Sequence, residues 1–195
     1  MKFRCEKGSE QSGFTILEVM AAIVVLSIGI LTVVAAFATA VATTQNAQEN
    51  LVARQKALET LESIFTARNT QQVTFAQIAN IPSGGIFTSG ATPLWSAGND
   101  GLVNTADDVP FPAQGVCGAG PECITLPGPD GILGTPDDTA MSLGNFTRQI
   151  EIDPVLQPDG SVNPNLKQVI VTVSYSNLSP VPRSYTVTAL ISSYR

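Results

Sequence analysis

From Val19 to Ala42 nearly every side chain is Val, Ile, Leu, Ala, Met or Phe, and no Asp, Glu, Lys or Arg occurs between Glu18 and Glu49. At the helical rise this run extends roughly 36 Å, enough to cross a hydrocarbon core of about 30 Å with some tilt. From Gln45 to Arg68 the polar share rises, and neither Gly nor Pro occurs. Leu51, Leu58, Leu61, Ile64 and Phe65 recur there at helical spacing, with Arg54, Lys56, Glu59 and Glu62 in the other positions. The pattern predicts one long helix, with an apolar half over 14–43 and an amphipathic continuation over 44–68. A split into two helices near Thr43 and Thr44 has no breaker residue to mark it.

Residues 69–145 change character: Gly and Pro interrupt the chain every few residues and apolar periodicity disappears, which predicts a loop region. Over 146–195 the period becomes two. Ile150 and Ile152 alternate with Gln149 and Glu151; Val169, Val171, Val173 and Tyr175 oppose Gln168, Thr172 and Ser174; Tyr185, Val187, Ala189 and Ile191 repeat the pattern. The segments 154–165 and 177–183, rich in Pro, Asn, Asp, Gly and Ser, read as connectors. Three antiparallel strands with one apolar face need a cover, and the stripe over residues 51–65 supplies it. The expected fold class is α+β, a long N-terminal helix on a small antiparallel sheet.

The start of the apolar run carries the most specific chemistry. Three readings of residues 1–42 compete. A secretory signal peptide has a basic n-region in Lys2, Arg4 and Lys7 and a cleavage site at Ala40-Val41-Ala42. Its apolar segment would far exceed the usual 7–15 residues or so, and it would contain an acid. A plain membrane anchor explains Thr15-x-x-Glu18 as a capping box at a helix N-terminus. It leaves Gly13 before Phe14 without a reason. The third reading is a resemblance: Gly13-Phe14-Thr15-Ile16-Leu17-Glu18-Val19-Met20, after a short basic leader, resembles the N-terminal signature of type IV prepilins and pseudopilins. The resemblance covers about residues 8–43. The wording from Leu17 to Gly29 is most similar to PilV-type minor pilins, and the absence of proline from the first 35 residues of the helix separates it from many major pilins.

The resemblance implies a set of roles. Residues 1–13 are a leader removed by a prepilin peptidase between Gly13 and Phe14, and Phe14 becomes the N-methylated first residue. Glu18 is the family's acid. Physics gives it a partner: an acid on a membrane helix is costly, no Lys, Arg or His lies within thirty residues after it, and the new amine at Phe14 is a positive charge at similar depth. A cap within one helix and a pairing with a neighbour's amine are compatible. The implied function is a structural subunit of a type IV pilus or pilus-like filament, with other pilin subunits, the peptidase and an inner-membrane assembly platform as partners. A minor pseudopilin of a type II secretion system is an alternative, and a calcium-dependent adhesin on a pilin stem another. Small residues Ala22, Gly29 and Ala36, seven apart, could let helices approach closely.

The basic leader orients the span with its N-terminus in the cytoplasm of a bacterial inner membrane and the C-terminal domain outside. Removing the leader's three bases and two acids leaves 7 Lys and Arg against 14 Asp and Glu, a net −7, which argues against nucleic-acid binding. Cys5 leaves with the leader. Cys117 and Cys123 remain, and an even pair on the exported side reads as a disulfide. A zinc site fits poorly, since the spacing is wrong and the chain has no His.

An internal repeat lies in the loop region. Residues 98–108 and 128–138 both read G-x-D-G-x-x-x-T-x-D-D, thirty residues apart. Asp-Gly marks a tight turn, and the Thr and paired Asp can fold back on local amides. Asp100, Asn104, Asp107 and Asp108, with Asp130, Asp137 and Asp138, also offer the oxygen ligands Ca²⁺ takes, although not at EF-hand spacing. Solvated turns and calcium ligation both stand at this point. An enzyme is not expected: no His, no nucleophile beside a base and no phosphate loop is present.

Overall fold

The computed structural model describes Gly13, residues 15–176 and residues 182–194. The chain divides into two compact units, 1–45 and 46–195. Helix α1 (Ile16–Asn69) supplies the described part of the first unit and the opening element of the second. In the first unit its side chains are exposed almost throughout, and an 18-residue stretch reaches a mean hydropathy of 2.7, long and apolar enough to cross a membrane. Its few hydroxyls are satisfied within the helix. Ser27 Oγ donates to the Ile23 carbonyl at 2.7 Å, Thr32 Oγ1 to Gly29 at 2.7 Å and Thr39 Oγ1 to Ala36 at 2.8 Å. Each of these hydroxyls is therefore paired within the helix and needs no partner from an apolar surrounding.

In the second unit, strands β1 (Thr92–Pro93), β4 (Phe146–Leu156), β5 (Val162–Tyr175) and β6 (Arg183–Ser192) form an antiparallel sheet in the order β1-β4-β5-β6. Strands β2 (Cys123–Leu126) and β3 (Thr139–Ser142) form a separate hairpin. The period-two reading of the last third holds in the register: Ile150 pairs with Val171 and Val171 with Val187, all on the face toward the helix. Strands β4 and β5 run further than the sequence suggested, into the 154–165 connector, with a register shift between Pro154 and Leu156. The region read as loop holds β1, β2 and β3.

The helix covers the sheet, but with a different stripe from the one expected. The buried helix positions are Ala53, Lys56, Ala57, Thr60, Ile64 and Ala67. Leu51 is 66% exposed and Leu58 37%, while Leu61 and Phe65 are only partly buried. The expectation that Leu51 and Leu58 face the sheet is corrected. Small Ala53 and Ala57 sit at the contact instead and leave room for Val169, Val171, Val173, Phe146 and Tyr175, all nearly or fully buried. Each such large apolar side chain stabilises the fold by about 1.5–3 kcal/mol. Asn80 ties the loop to β4: its Nδ2 donates to the Ile150 carbonyl at 2.8 Å, and its Oδ1 accepts from the Ile152 amide at 2.9 Å. Lys167 donates to the carbonyls of Phe75 and Ile78 at 2.9 and 2.7 Å and lies 4.8 Å from the Phe75 ring centre.

Candidate functional site

The N-terminal motif meets the helix at Thr15. Thr15 Oγ1 accepts the Glu18 backbone N–H at 3.3 Å, and its carbonyl accepts the amides of Glu18 and Val19 at 3.1 and 3.2 Å. Thr15 thus caps the first turn, its hydroxyl and its carbonyl sharing the Glu18 amide. Gly13 is exposed with open space around it, and the Glu18 side chain is exposed on the first turn. Phe14 and the basic leader lie outside the described residues. Ala22, Gly29 and Ala36 are exposed along the apolar half of the helix.

In the second unit, Cys117 and Cys123 are joined as a disulfide with Cα atoms 5.8 Å apart. It connects the loop bearing the Gln114–Cys117 bridge to the start of β2.

The two acidic repeats fold into the same object. Ser96 pairs with Val109 in a single antiparallel bridge across the first, and Leu126 with Thr139 at the end of the β2–β3 ladder across the second, so each repeat is a loop closed by antiparallel pairing at equivalent positions. Inside each loop the carboxylates accept backbone amides. Asp100 Oδ1 takes Leu102 N at 2.8 Å, and Asp130 Oδ1 takes Ile132 N at 2.8 Å. Asp107 Oδ2 takes Asp100 N at 3.2 Å, and Asp137 Oδ2 takes Asp130 N at 3.3 Å. Asp108 Oδ2 takes Asn104 N at 2.7 Å, and Asp138 Oδ2 takes Gly134 N at 2.8 Å. Thr105 and Thr135 donate to the first Asp of each pair at 2.8 and 2.6 Å.

The leading glycines are sterically required. A Cβ on Gly98 or Gly128 would lie 2.3 Å from the carbonyl oxygen of Asp107 or Asp137. The Thr105 hydroxyl, opposed by burial and joined by the Asp100 amide, holds the Asp107 carboxyl below the usual range. The Thr135 hydroxyl and the Asp130 amide do the same for Asp137. Burial pushes Asp108 up in spite of its amide donors. Among the described residues, no group of three or more His, Cys, Asp or Glu is placed to hold a metal ion.

The repeats differ in what they touch. In the first, Leu102 is 2% exposed and Asn104 fully buried, with Asn104 held at φ 61°. In the second, Ile132 and Leu133 are both 61% exposed, and the residue matching Asn104 is Gly134, at φ 90°. A left-handed residue is needed at that step, and Asn or Gly meets the need at low cost.

The first repeat is docked because Asn104 binds Arg148, a residue the sequence reading passed over. Asn104 Oδ1 accepts Arg148 Nε at 2.6 Å, and Asn104 Nδ2 donates to the Arg148 carbonyl at 3.0 Å. Arg148 is 4% exposed and sits on the helix-facing side of β4 between Phe146 and Ile150. Burial lowers its pKa, opposed by the charges of Asp108, Glu122 and Glu59. Nearby, Lys56 is 8% exposed and donates to Glu59 at 2.9 Å and to Glu122. Burial alone would lower the Lys56 pKa, but hydrogen bonds and charge from Glu122 and Glu59 outweigh it and raise the value. The period-two alternation from Phe146 was the cue that Arg148 points inward, and the helical spacing 53–56–57–60 was the cue for Lys56.

No curated protein and no solved structure matches the chain. Residues 8–39 match the family described as the prokaryotic N-terminal methylation motif, which supports a protein like the type IV prepilins and pseudopilins, anchored by one apolar helix.

Proposed function

We propose that the chain is a minor pilin of PilV type, a structural subunit of a type IV pilus or pilus-like filament. The observation that carries this reading is the processing motif over residues 8–39, running directly into a helix long enough to span a bilayer. On this reading the leader is cut between Gly13 and Phe14 and Phe14 is N-methylated. The span sits in the inner membrane with its N-terminus cytoplasmic. Assembly then moves the apolar half of α1 from lipid to contact with other pilin helices. Glu18 pairs there with the terminal amine of a neighbour, which removes the cost of an unpaired carboxylate in an apolar bundle. The prepilin peptidase and the inner-membrane assembly platform are the partners this requires.

Mass spectrometry of the membrane-extracted protein tests the processing step. The expected species begins at N-methyl-Phe14, and the same species is expected in sheared filaments. An intact leader, or a terminus at or after Ala40, overturns the reading.

A further inference from the structure

Between α1, the loop region and β4, the second unit forms a half-open pocket of about 270 Å³ lined by Lys56, Glu59, Trp95, Phe111, Glu122 and Arg148, among others. Its charged walls have donors to spare. The Arg148 guanidinium spends Nε on Asn104, and among the described residues its Nη2 is buried without a hydrogen-bond partner. Lys56 has three ammonium hydrogens and gives two, to Glu59 and Glu122. A buried charged donor left unpaired is costly, so a site of this kind favours a ligand that accepts from it.

The walls also limit which acceptor fits. Glu59 and Glu122 offset the charges of Lys56 and Arg148, which disfavours a doubly charged anion more strongly than a singly charged one. A guanidinium fork matches the planar geometry of a carboxylate. Trp95 and Phe111 add apolar surface, which an inorganic ion would leave unused and a short carbon chain would cover. The volume admits only a small molecule. We infer that this cavity is a binding site for a small monocarboxylate with a short apolar tail, its carboxylate received by Arg148 and Lys56 and its tail by Trp95 and Phe111. This inference is independent of the proposed role in a filament, since it concerns residues of the second unit alone.

Trp95 is the only tryptophan of the chain, so its emission reports on the cavity without a label. The full chain in detergent micelles is titrated with sodium butyrate, and with sodium acetate, sodium phosphate and sodium chloride at matched ionic strength. The expected result is a saturable change in Trp95 emission with butyrate, a weaker one with acetate and none with chloride or phosphate. Arg148→Lys keeps the charge but loses the fork, and should weaken butyrate binding about tenfold or more.

Arg148 is buried and its variant could fail to fold, so Ser63→Phe is the second test. Ser63 lines the cavity without a charge, and a ring there should fill the space and abolish the response in a folded protein. Emission indifferent to butyrate, an equal response to chloride, or an unchanged response in Ser63→Phe would each overturn the assignment.

Discussion

Asn104 holds Arg148 at two points, its side-chain oxygen on Nε at 2.6 Å and its side-chain nitrogen on the Arg148 carbonyl at 3.0 Å. One carboxamide thus serves as acceptor for a buried cation and donor to the strand that carries it. Asn104→Ala removes both contacts and puts at φ 61° a residue that tolerates the left-handed region less well than Asn. Leaving a charged donor unsatisfied should cost about 3 kcal/mol, read by denaturant unfolding of the full chain. Gly134→Asn in the second repeat, where the matching position is exposed, should change stability by no more than about 0.5 kcal/mol. Equal losses at the two sites would show that the docking contact contributes nothing.

The carboxylates of the repeats accept amides of their own loops, so the turns are held without a cation. The melting temperature should therefore be indifferent to chelator and to millimolar Ca²⁺. A rise of several degrees on adding Ca²⁺ would support the ligation reading, since binding at a hundredfold excess stabilises the folded state by about 2.7 kcal/mol. The glycines give a structural control. Gly98→Ala should disrupt the docked first loop, whereas Gly128→Ala should disturb only the exposed one, although both meet an oxygen at 2.3 Å.

Much of this architecture was legible because period and breaker residues are local. The run without charges announced the apolar half of α1, and the alternation around Ile150, Val171 and Val187 announced the sheet and its inward face. What was not legible depended on contact distance. Counting large apolar residues assigned Leu51 and Leu58 to the buried stripe, but a helix lying close on a sheet filled with Val, Phe and Tyr selects small residues at the contact, and Ala53 and Ala57 took those places. Lys56 and Arg148 were legible in their facing and not in their partners, because nothing local says that Glu122 and Asn104, far away in the chain, will meet them. The repeat was visible as a spelling; that both copies are closed by antiparallel pairing at equivalent positions was not.

That correction has a measurable consequence. Ala57 is fully buried against the sheet, so Ala57→Leu adds atoms where none fit and should cost about 1–3 kcal/mol. Leu51→Ala, at a position 66% exposed, should stay within about 0.5 kcal/mol of the parent. The opposite order in chemical denaturation would mean the Leu stripe packs on the sheet after all.

Stability should be flat at neutral pH and fall at both extremes. Asp107 and Asp137 have folded values below their ordinary 3.8, so their contribution is present above that value and is lost as pH falls through the folded ones. Asp108, raised by burial, works in the opposite sense just above 3.8, so the acid loss begins late. Lys56 lies above its ordinary 10.5; its contribution is complete below 10.5 and disappears as pH rises through the folded value. Thr105→Val with Thr135→Val removes the hydroxyl donors and should lower stability at neutral pH while making the acid limb shallower, just as Lys56→Met should flatten the alkaline limb. Unchanged limbs in circular dichroism would assign the titration to other groups.

The Glu18 pairing proposed for assembly separates cleanly from a capping role, because the cap observed in the structure uses the Glu18 backbone and the Thr15 hydroxyl rather than the carboxylate. Glu18→Ala keeps that hydrogen bond and removes an acid from the membrane helix, so insertion, cleavage and thermal stability of the second unit should match the parent. Entry into filaments should fall by roughly tenfold or more, the loss of one charge-assisted hydrogen bond in an apolar bundle. Glu18→Gln, which keeps a hydrogen-bond acceptor without the charge, should be intermediate. Thr15→Val should show the reverse profile, with a weaker first turn and normal incorporation. The measurement is the ratio of variant to parent in sheared filaments against the same ratio in the membrane fraction. A ratio near one in both fractions for Glu18→Ala would leave the carboxylate with no part in assembly.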